Sequence, residues 1–132
     1  MMIDIDYVKQ YNDTYGHHAG DKALEKISSV FRFNSKRSSD FVFRLGGEEF
    51  GIIFTEEDEN KSFEYAEELR KEILNLGISH KSSEISPYIT VSIGLVHKYA
   101  NEISNSTELY KIADKALYRA KKNGRNCIYM KQ

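Results

Sequence analysis

Apolar residues recur at the spacing of an α-helix in three separate stretches of the chain. Within each stretch they lie three or four residues apart, so that they line one face of a helix and can pack on a core. Gly77 follows the second stretch and Gly124 follows the third, and glycine commonly ends a helix. The pattern therefore predicts three amphipathic helices, carried by Ala23, Leu24, Ile27, Val30 and Phe31; by Phe63, Ala66, Leu69, Ile73 and Leu76; and by Leu109, Ile112, Ala113, Ala116, Leu117 and Ala120.

Shorter apolar runs between these stretches predict strands. Residues 41–45 and 50–54 flank a turn that contains Gly46 and Gly47, which is typical of an antiparallel hairpin. Further strands are expected, in chain order, over residues 1–5, 88–96 and 127–130. Strands and helices in this mixture predict an α+β sandwich, with one antiparallel or mixed sheet covered by helices.

Length and composition limit the number of domains and argue against binding of a nucleic-acid polymer. With 132 residues the chain has room for one hydrophobic core, so we expect a single domain over residues 1–132. The net charge of −1 supplies no basic excess for binding a nucleic-acid polymer. Neither a signal peptide nor a membrane-spanning apolar stretch is present, which predicts a cytoplasmic chain. The single cysteine, Cys127, lies in an apolar run and is expected to be a buried structural thiol.

Acidic residues cluster where two predicted strands end. Glu48 and Glu49 stand at the tip of the hairpin, and Asp4 and Asp6 stand at the end of the first strand. If these strands are neighbours, Asp4 faces Glu48 across one site. Because Mg²⁺ is usually bound by one or two carboxylates and substrate phosphates, Asp4, Glu48 and a backbone carbonyl near Ile5 would form a metal site. Two ordinary interpretations stay open: a solvated acidic hairpin tip, and an Asp6 side chain that caps the following helix.

Seven motifs extend this pattern over nearly the whole chain. They are DID at 4–6, Lys9, NDTYGHHAGD at 12–21, RSSD at 37–40, GGEEF at 46–50, TVSIG at 90–94 and ADKALYRAKKNGRN at 113–126. In this order and approximate spacing the chain resembles the GGDEF family of diguanylate cyclases, with the central motif spelled GGEEF. The resemblance implies a ferredoxin-like, nucleotidyl cyclase-like sandwich in which helices cover a central, mainly antiparallel sheet.

The resemblance also implies a reaction. Two GTP molecules are joined into cyclic dimeric GMP as each 3′-hydroxyl attacks the α-phosphate of the other and pyrophosphate leaves. Each subunit holds one GTP, so the competent form is a homodimer. Mg²⁺ or Mn²⁺ is expected on Asp4, Ile5 and Glu48, since nucleotidyl transfer depends on positioning and on neutralised charge. Glu48 or Glu49 is expected to assist deprotonation of the hydroxyl, with Glu48 preferred. Lys9 is grouped with them as a further phosphate contact, the alternative being a solvated helix charge.

Matching positions further imply how the nucleotide is bound. Asp21 matches the residue that accepts hydrogen bonds from guanine, and Asn12 matches the amide beside it, which favours GTP over ATP. Lys121 and Arg125, four residues apart near a helix end, match a triphosphate-binding pair, and His17, in the same loop as Asn12, is expected to touch the substrate. Local alternatives remain: a turn at Asn12, a first-turn helix acid at Asp21, and basic residues at a helix C-terminus.

Arg37 and Asp40 form an RxxD motif shortly before Gly46, where many family members bind cyclic dimeric GMP and are inhibited by it. An isolated RxxD is more often a surface ion pair, but its placement here favours product inhibition. The family usually carries another helix before the first strand, so an N-terminally shortened domain is expected. Two rivals stay open: an inactive domain that senses GTP or cyclic dimeric GMP, and a cyclase with a mixed adenine and guanine product, which Asp21 disfavours.

Overall fold

Five strands form one mixed sheet in the computed structural model, which describes residues 1–131. They are β1 (Met2–Ile5), β2 (Phe41–Arg44), β3 (Glu49–Ile53), β4 (Val91–Val96) and β5 (Ile128–Lys131), arranged in the order β2-β3-β1-β4-β5. The pairings β2–β3, β3–β1 and β1–β4 are antiparallel, whereas β4–β5 is parallel. The first four strands thus have the ferredoxin-like order, and β5 extends one edge.

Four α-helices cover this sheet: α1 (Val8–Tyr15), α2 (His17–Asn34), α3 (Glu59–Asn75) and α4 (Ser106–Lys122). A short 3₁₀ turn, Ala100–Glu102, precedes α4. Asp58 and Asn105 cap the starts of α3 and α4, because each side chain accepts a hydrogen bond from a first-turn backbone N–H. The predicted α+β sandwich and its three amphipathic helices are confirmed, with α1 added. Among residues 1–131 no helix is both long enough and apolar enough to cross a membrane.

The segment 12–21, expected as a loop around His17, is helical on both sides of Gly16. Gly16 has φ of +89°, which ends α1, and its N–H donates to the carbonyl of Asn12. His17 is the first residue of α2 rather than a loop residue. The chain changes direction here because glycine accepts a left-handed φ that most residues avoid.

The strand expected from residue 88 begins as a regular strand only at Val91. Tyr88 makes an isolated antiparallel bridge with Ser79, directly after Pro87. Because proline has no N–H to donate, the pairing of Tyr88 with Ser79 cannot continue as a strand ladder through Pro87. Cys127 is less buried than predicted. It is half-buried, and its thiol donates to the carbonyl of Ala120 over 3.2 Å.

The two faces of the sheet are covered by different helices. Ile3 and Ile5 belong to the main core, which α1, α2 and α3 share with β3 and β4. Met2 belongs to a second cluster with Ala113 and Leu117 of α4. Because side chains alternate along a strand, Asp4 lies on the same face as Met2, beneath α4. The fold therefore places the first acidic residue of the chain under the last helix.

Candidate active site

The carboxylate of Asp4 is buried at the centre of the site. Its Oδ2 accepts a hydrogen bond of 2.7 Å from Nζ of Lys121, which reaches it from the last turn of α4. Burial raises the pKa of the Asp4 carboxyl to about 6, while the Lys121 ammonium acts in the opposite direction. The neighbouring negative charges of Glu48 and Glu49 also raise this pKa. A further cation beside Asp4 would offset this repulsion.

The turn between β2 and β3 lies directly beside Asp4. The sheet register pairs Asp4 with Glu49, and the N–H of Ile5 donates to the carbonyl of Glu48 over 3.2 Å. The sequence prediction had placed Glu48 opposite Asp4, whereas the register gives that position to Glu49. Both glutamates are half-buried at the same end of the sheet. Among residues 1–131 no group of three or more His, Cys, Asp or Glu side chains could hold a metal ion, so a metal here would need backbone or phosphate oxygens as well.

Arg44 holds the turn, a role that the motif pattern does not predict. Its Nε donates to the carbonyl of Gly46 over 2.9 Å, and its Nη2 donates to that of Gly47 over 2.6 Å. A Cβ built at Gly47 would meet no atom within 4 Å, so the space beside the turn is open. The position of Arg44, two residues before a glycine turn with free carbonyls, is the signal that could have revealed it.

Asp6 does not cap the following helix, contrary to the interpretation left open from sequence. Its carboxylate accepts hydrogen bonds from the hydroxyls of Thr90 and Ser92, at 2.8 and 2.7 Å, and from the N–H of Asn126 at 3.1 Å. The N-cap position belongs to Tyr7, which makes no side-chain cap. The hydroxyls of Thr90, directly before β4, and of Ser92, within it, supply the buried carboxylate with better partners than a helix N-terminus would. Asp6 therefore links β1, β4 and the α4–β5 connection.

Arg125 lies beyond the helix that was expected to carry it. Because α4 ends at Lys122, Lys121 and Arg125 do not share one helical face, and Arg125 has φ of +62°. Its guanidinium carbon lies 4.6 Å from the centre of the Tyr7 ring. Sequence reasoning did not single out Tyr7, since the contact joins residues 118 positions apart. Lys121 and Arg125 nevertheless both reach the end of β1, through Asp4 and Tyr7.

Asn12 lies against Gly20, the residue before Asp21, where α1 meets α2. The Oδ1 atom of Asn12 lies 2.0 Å from where a Cβ on Gly20 would be, so a larger residue at that position would displace the Asn12 side chain. This Oδ1 is buried and has no hydrogen-bond partner among residues 1–131. Asp21, next to Gly20, is exposed and faces a groove.

That groove has a volume of about 530 Å³ and lies between α2 and the hairpin. It is lined by Asp21, Leu24, Glu25, Ser28, Arg32, Val42, Phe43, Arg44 and Phe50. Two other predicted residues, Lys9 near the start of α1 and His17 at the start of α2, are exposed. For these two side chains the structure shows no ion pair or hydrogen bond within residues 1–131, so their roles remain predictions.

Arg37 and Asp40 form a turn directly before β2, at the end of the hairpin opposite the Gly46–Gly47 turn. The N–H of Arg37 donates to Oδ2 of Asp40 over 3.2 Å, but the guanidinium pairs with Glu56 over 2.9 Å and also donates to the carbonyl of Thr55. The alternative of an ion pair within RxxD is therefore wrong, because Glu56 takes the guanidinium. The other oxygen of Asp40 is buried without a hydrogen-bond partner among residues 1–131 and borders a second groove of about 510 Å³.

The fold and the carboxylates and basic side chains around β1 define the class of protein. The family model described as "Diguanylate cyclase, GGDEF domain" matches residues 1–127, and the chain belongs to this family. The resemblance predicted from the motifs is confirmed.

Individual relatives agree with this assignment. Diguanylate cyclase DosC of Escherichia coli strain K12 is 40% identical over 128 residues, which are 97% of this chain and 27% of the relative. The GGDEF domain of DgcB from Caulobacter crescentus, solved in complex with c-di-GMP, superposes with a TM-score of 0.84 at 32% identity, covering 98% of this chain and 74% of that one. The active GGEEF domain of a diguanylate cyclase from Vibrio cholerae gives a TM-score of 0.80 at 30% identity, covering 99% and 80%. The chain spans about a quarter of the length of the curated relatives it matches.

Proposed function

We propose that residues 1–132 act as one GGDEF-type domain that condenses two GTP molecules into cyclic dimeric GMP. Each GTP loses pyrophosphate as the 3′-hydroxyl of its partner forms a bond to its α-phosphate. The observation that carries the proposal is the buried Asp4 carboxylate, with Lys121 bonded to it and the Glu48–Glu49 turn beside it, in a chain of this family. Such a centre combines acidic ligands for a cation with basic groups for phosphates.

The residues around Asp4 fit a divalent metal. Asp4 is buried among like charges, and its carboxylate together with that of Glu48 and the carbonyl of Ile5 offers the oxygen ligands that Mg²⁺ and Mn²⁺ favour. When bound, the metal would neutralise charge on the phosphates of GTP. Glu48 is the preferred group to accept the proton of the attacking hydroxyl, with Glu49 beside it, and Lys9 is a further phosphate contact.

Different residues are assigned to the base and to the triphosphate of GTP. Asp21, at the groove beside α2, accepts hydrogen bonds from the N1–H and amine of guanine, and Asn12 is assigned a further amide contact to the base. Adenine lacks this pair of donors, so GTP is preferred over ATP. Lys121 and Arg125 bind the triphosphate as a point charge and a planar guanidinium, and His17 lies near the base.

The reaction needs two copies of the chain. One site holds one GTP, and each hydroxyl attacks the phosphate held by the other copy, so the active species is a homodimer with facing sites. Cyclic dimeric GMP is also proposed to inhibit the enzyme at Arg37 and Asp40, which border the second groove. Product bound there would compete with Glu56 for the Arg37 guanidinium, which is paired with Glu56 in the free chain.

The test is incubation of the purified chain with GTP and Mg²⁺, with the nucleotide product identified by mass spectrometry. We expect cyclic dimeric GMP from the wild-type chain and a loss of about a hundredfold or more in Glu48→Gln, because a positioned charge is removed. Lys26→Ala, an exposed change on α2, serves as the control and should keep full activity. GTP binding without any dinucleotide would instead favour a receptor, and equal activity in Glu48→Gln would reject the assigned site.

A further inference from the structure

Tyr7 has a backbone conformation that an aromatic residue rarely adopts. It lies between β1 and α1 with φ of 56° and ψ of 39°, in the left-handed region. Within residues 1–131 the other non-glycine residues with positive φ are Arg125 and Asn126, in the connection between α4 and β5. Bulky side chains are disfavoured there, and such strain persists where neighbours enforce it, often at functional sites.

The neighbours of Tyr7 enforce its conformation. The carbonyl of Tyr7 accepts hydrogen bonds from the N–H of Tyr11 and from Nε2 of His80, each 3.0 Å long. His80 is buried in the connection between α3 and β4 and stacks edge-on against the ring of Tyr11. The strained residue is therefore fixed from its own helix and from a segment more than seventy positions away.

The second left-handed segment is fixed to the first. Asn126 donates its N–H to the carboxylate of Asp6 over 3.1 Å, and its side-chain oxygen accepts from Arg70 over 2.8 Å. Asp6 directly precedes Tyr7, and Arg125 directly precedes Asn126. The two strained connections thus face each other as one unit.

The result of this arrangement is the stack of Arg125 on Tyr7. The guanidinium carbon lies 4.6 Å from the ring centre, whereas the hydroxyl lies 3.5 Å from Nη1 and contributes little at that distance. Among residues 1–131 no carboxylate forms an ion pair with Arg125, in contrast to Lys121, which is paired with Asp4. A guanidinium that stacks on an aromatic ring has its N–H donors in its own plane, so they remain available to bind an anion.

We propose that Tyr7 is a positioning residue that holds the Arg125 guanidinium for the β- and γ-phosphates of GTP. This inference rests on the proposed function, in which Arg125 binds the triphosphate. The Tyr7 ring acts through the Arg125 guanidinium on which it stacks. The strained backbone is retained because it directs the ring to the guanidinium, not because it stabilises the fold.

The test measures binding of two probes in the presence of Mg²⁺. One is the α,β-methylene analogue of GTP, which cannot release pyrophosphate, and the other is GMP, which lacks the β- and γ-phosphates. Tyr7→Asn removes the ring and tolerates the left-handed conformation better, so the thermal midpoint should not fall. We expect this change to weaken binding of the analogue about threefold to tenfold, as for loss of a cation–π contact, and to change GMP binding by less than about twofold. Tyr7→Phe keeps the ring face and should restore binding of the analogue.

Arg125→Ala separates this inference from the proposed function. If Arg125→Ala leaves the affinity for the analogue unchanged, the assigned phosphate role of Arg125 is wrong. If Arg125→Ala weakens binding, Tyr7→Asn should add no further loss in that background, because Tyr7 acts through Arg125. Tyr118→Ala is the matched control, since it removes another tyrosine stacked on a cation, Lys122, and should change neither affinity.

Several results would overturn the positioning role while Arg125 keeps its own. These are full affinity in Tyr7→Asn, an equal loss of GMP binding, a loss that persists in the Arg125→Ala background, and failure of Tyr7→Phe to restore binding. A lower thermal midpoint in Tyr7→Asn would show that the strained tyrosine serves stability instead.

Discussion

At the scale of single residues, Lys121 and Arg37 are each held by a carboxylate from another part of the chain, Lys121 by Asp4 and Arg37 by Glu56. Asp4 and Glu48 could be predicted because carboxylates at strand ends are unusual next to apolar runs. The bond between Lys121 and Asp4 could not be predicted, because it joins positions 117 residues apart and depends on α4 lying over β1. Likewise, RxxD identified Arg37, but its partner Glu56 comes from the segment after β3.

The Arg37–Glu56 ion pair leads to a prediction about product inhibition. Glu56→Gln removes the charge that holds the guanidinium, whereas the hydrogen bond to Thr55 remains. Because a partly exposed ion pair contributes less than about 1 kcal/mol, we expect the inhibitory concentration of cyclic dimeric GMP to fall by up to about fivefold. The measurement is the initial rate of pyrophosphate release at increasing concentrations of added product.

Glu57→Gln provides the matched control for this experiment. It removes the same charge one position away, where Glu57 pairs with Lys61 over 2.6 Å and not with Arg37. We expect it to leave the inhibitory concentration nearly unchanged. Unchanged or weaker inhibition in Glu56→Gln would contradict the competition between Glu56 and the product.

At the scale of elements, periodicity predicted the helices α2, α3 and α4 and the hairpin, because each has a long apolar face or a glycine turn. Helix α1 has eight residues and one buried side chain, Tyr11, so its apolar pattern was too short to separate from a loop. The pattern of apolar residues also did not predict how closely α4 packs on the sheet. It requires Gly94, where a Cβ would lie 2.2 Å from the backbone nitrogen of Leu117.

Gly94→Ala should therefore move α4 away from β4. Both nearest atoms, the nitrogen of Leu117 and the carbonyl oxygen of Ala113 at 2.5 Å, are backbone atoms and cannot rotate away. We expect a loss of about 1–3 kcal/mol in the free energy of unfolding, measured by urea titration. Weaker GTP binding should accompany it, since α4 carries Lys121.

Gly51→Ala is the comparison for this change, on strand β3, which is separated from β4 by β1. There the added methyl meets the ring of Phe43 at 2.4 Å, and this exposed side chain can swing aside. The loss of stability should be clearly smaller than for Gly94→Ala. Equal stability of the two variants would mean that the close approach of α4 and β4 is not required.

At the scale of the whole molecule, one copy of the chain carries one cluster of acidic and basic groups around β1. Asp4, Lys121 and the Glu48–Glu49 turn form one centre at one end of β1, and the proposed dinucleotide requires two such centres. Family membership and the sandwich fold could be predicted from sequence, because seven ordered motifs carry them. How two copies approach could not, because sequence patterns describe contacts within one chain.

The measurement that tests the central claim most directly is the rate of cyclic dimeric GMP formation as a function of protein concentration, at saturating GTP and Mg²⁺. If two copies each bring one GTP, the rate should rise with the square of the concentration while monomers dominate, and linearly once dimers do. A rate proportional to concentration throughout the monomeric range, verified by light scattering on the same samples, would contradict the account.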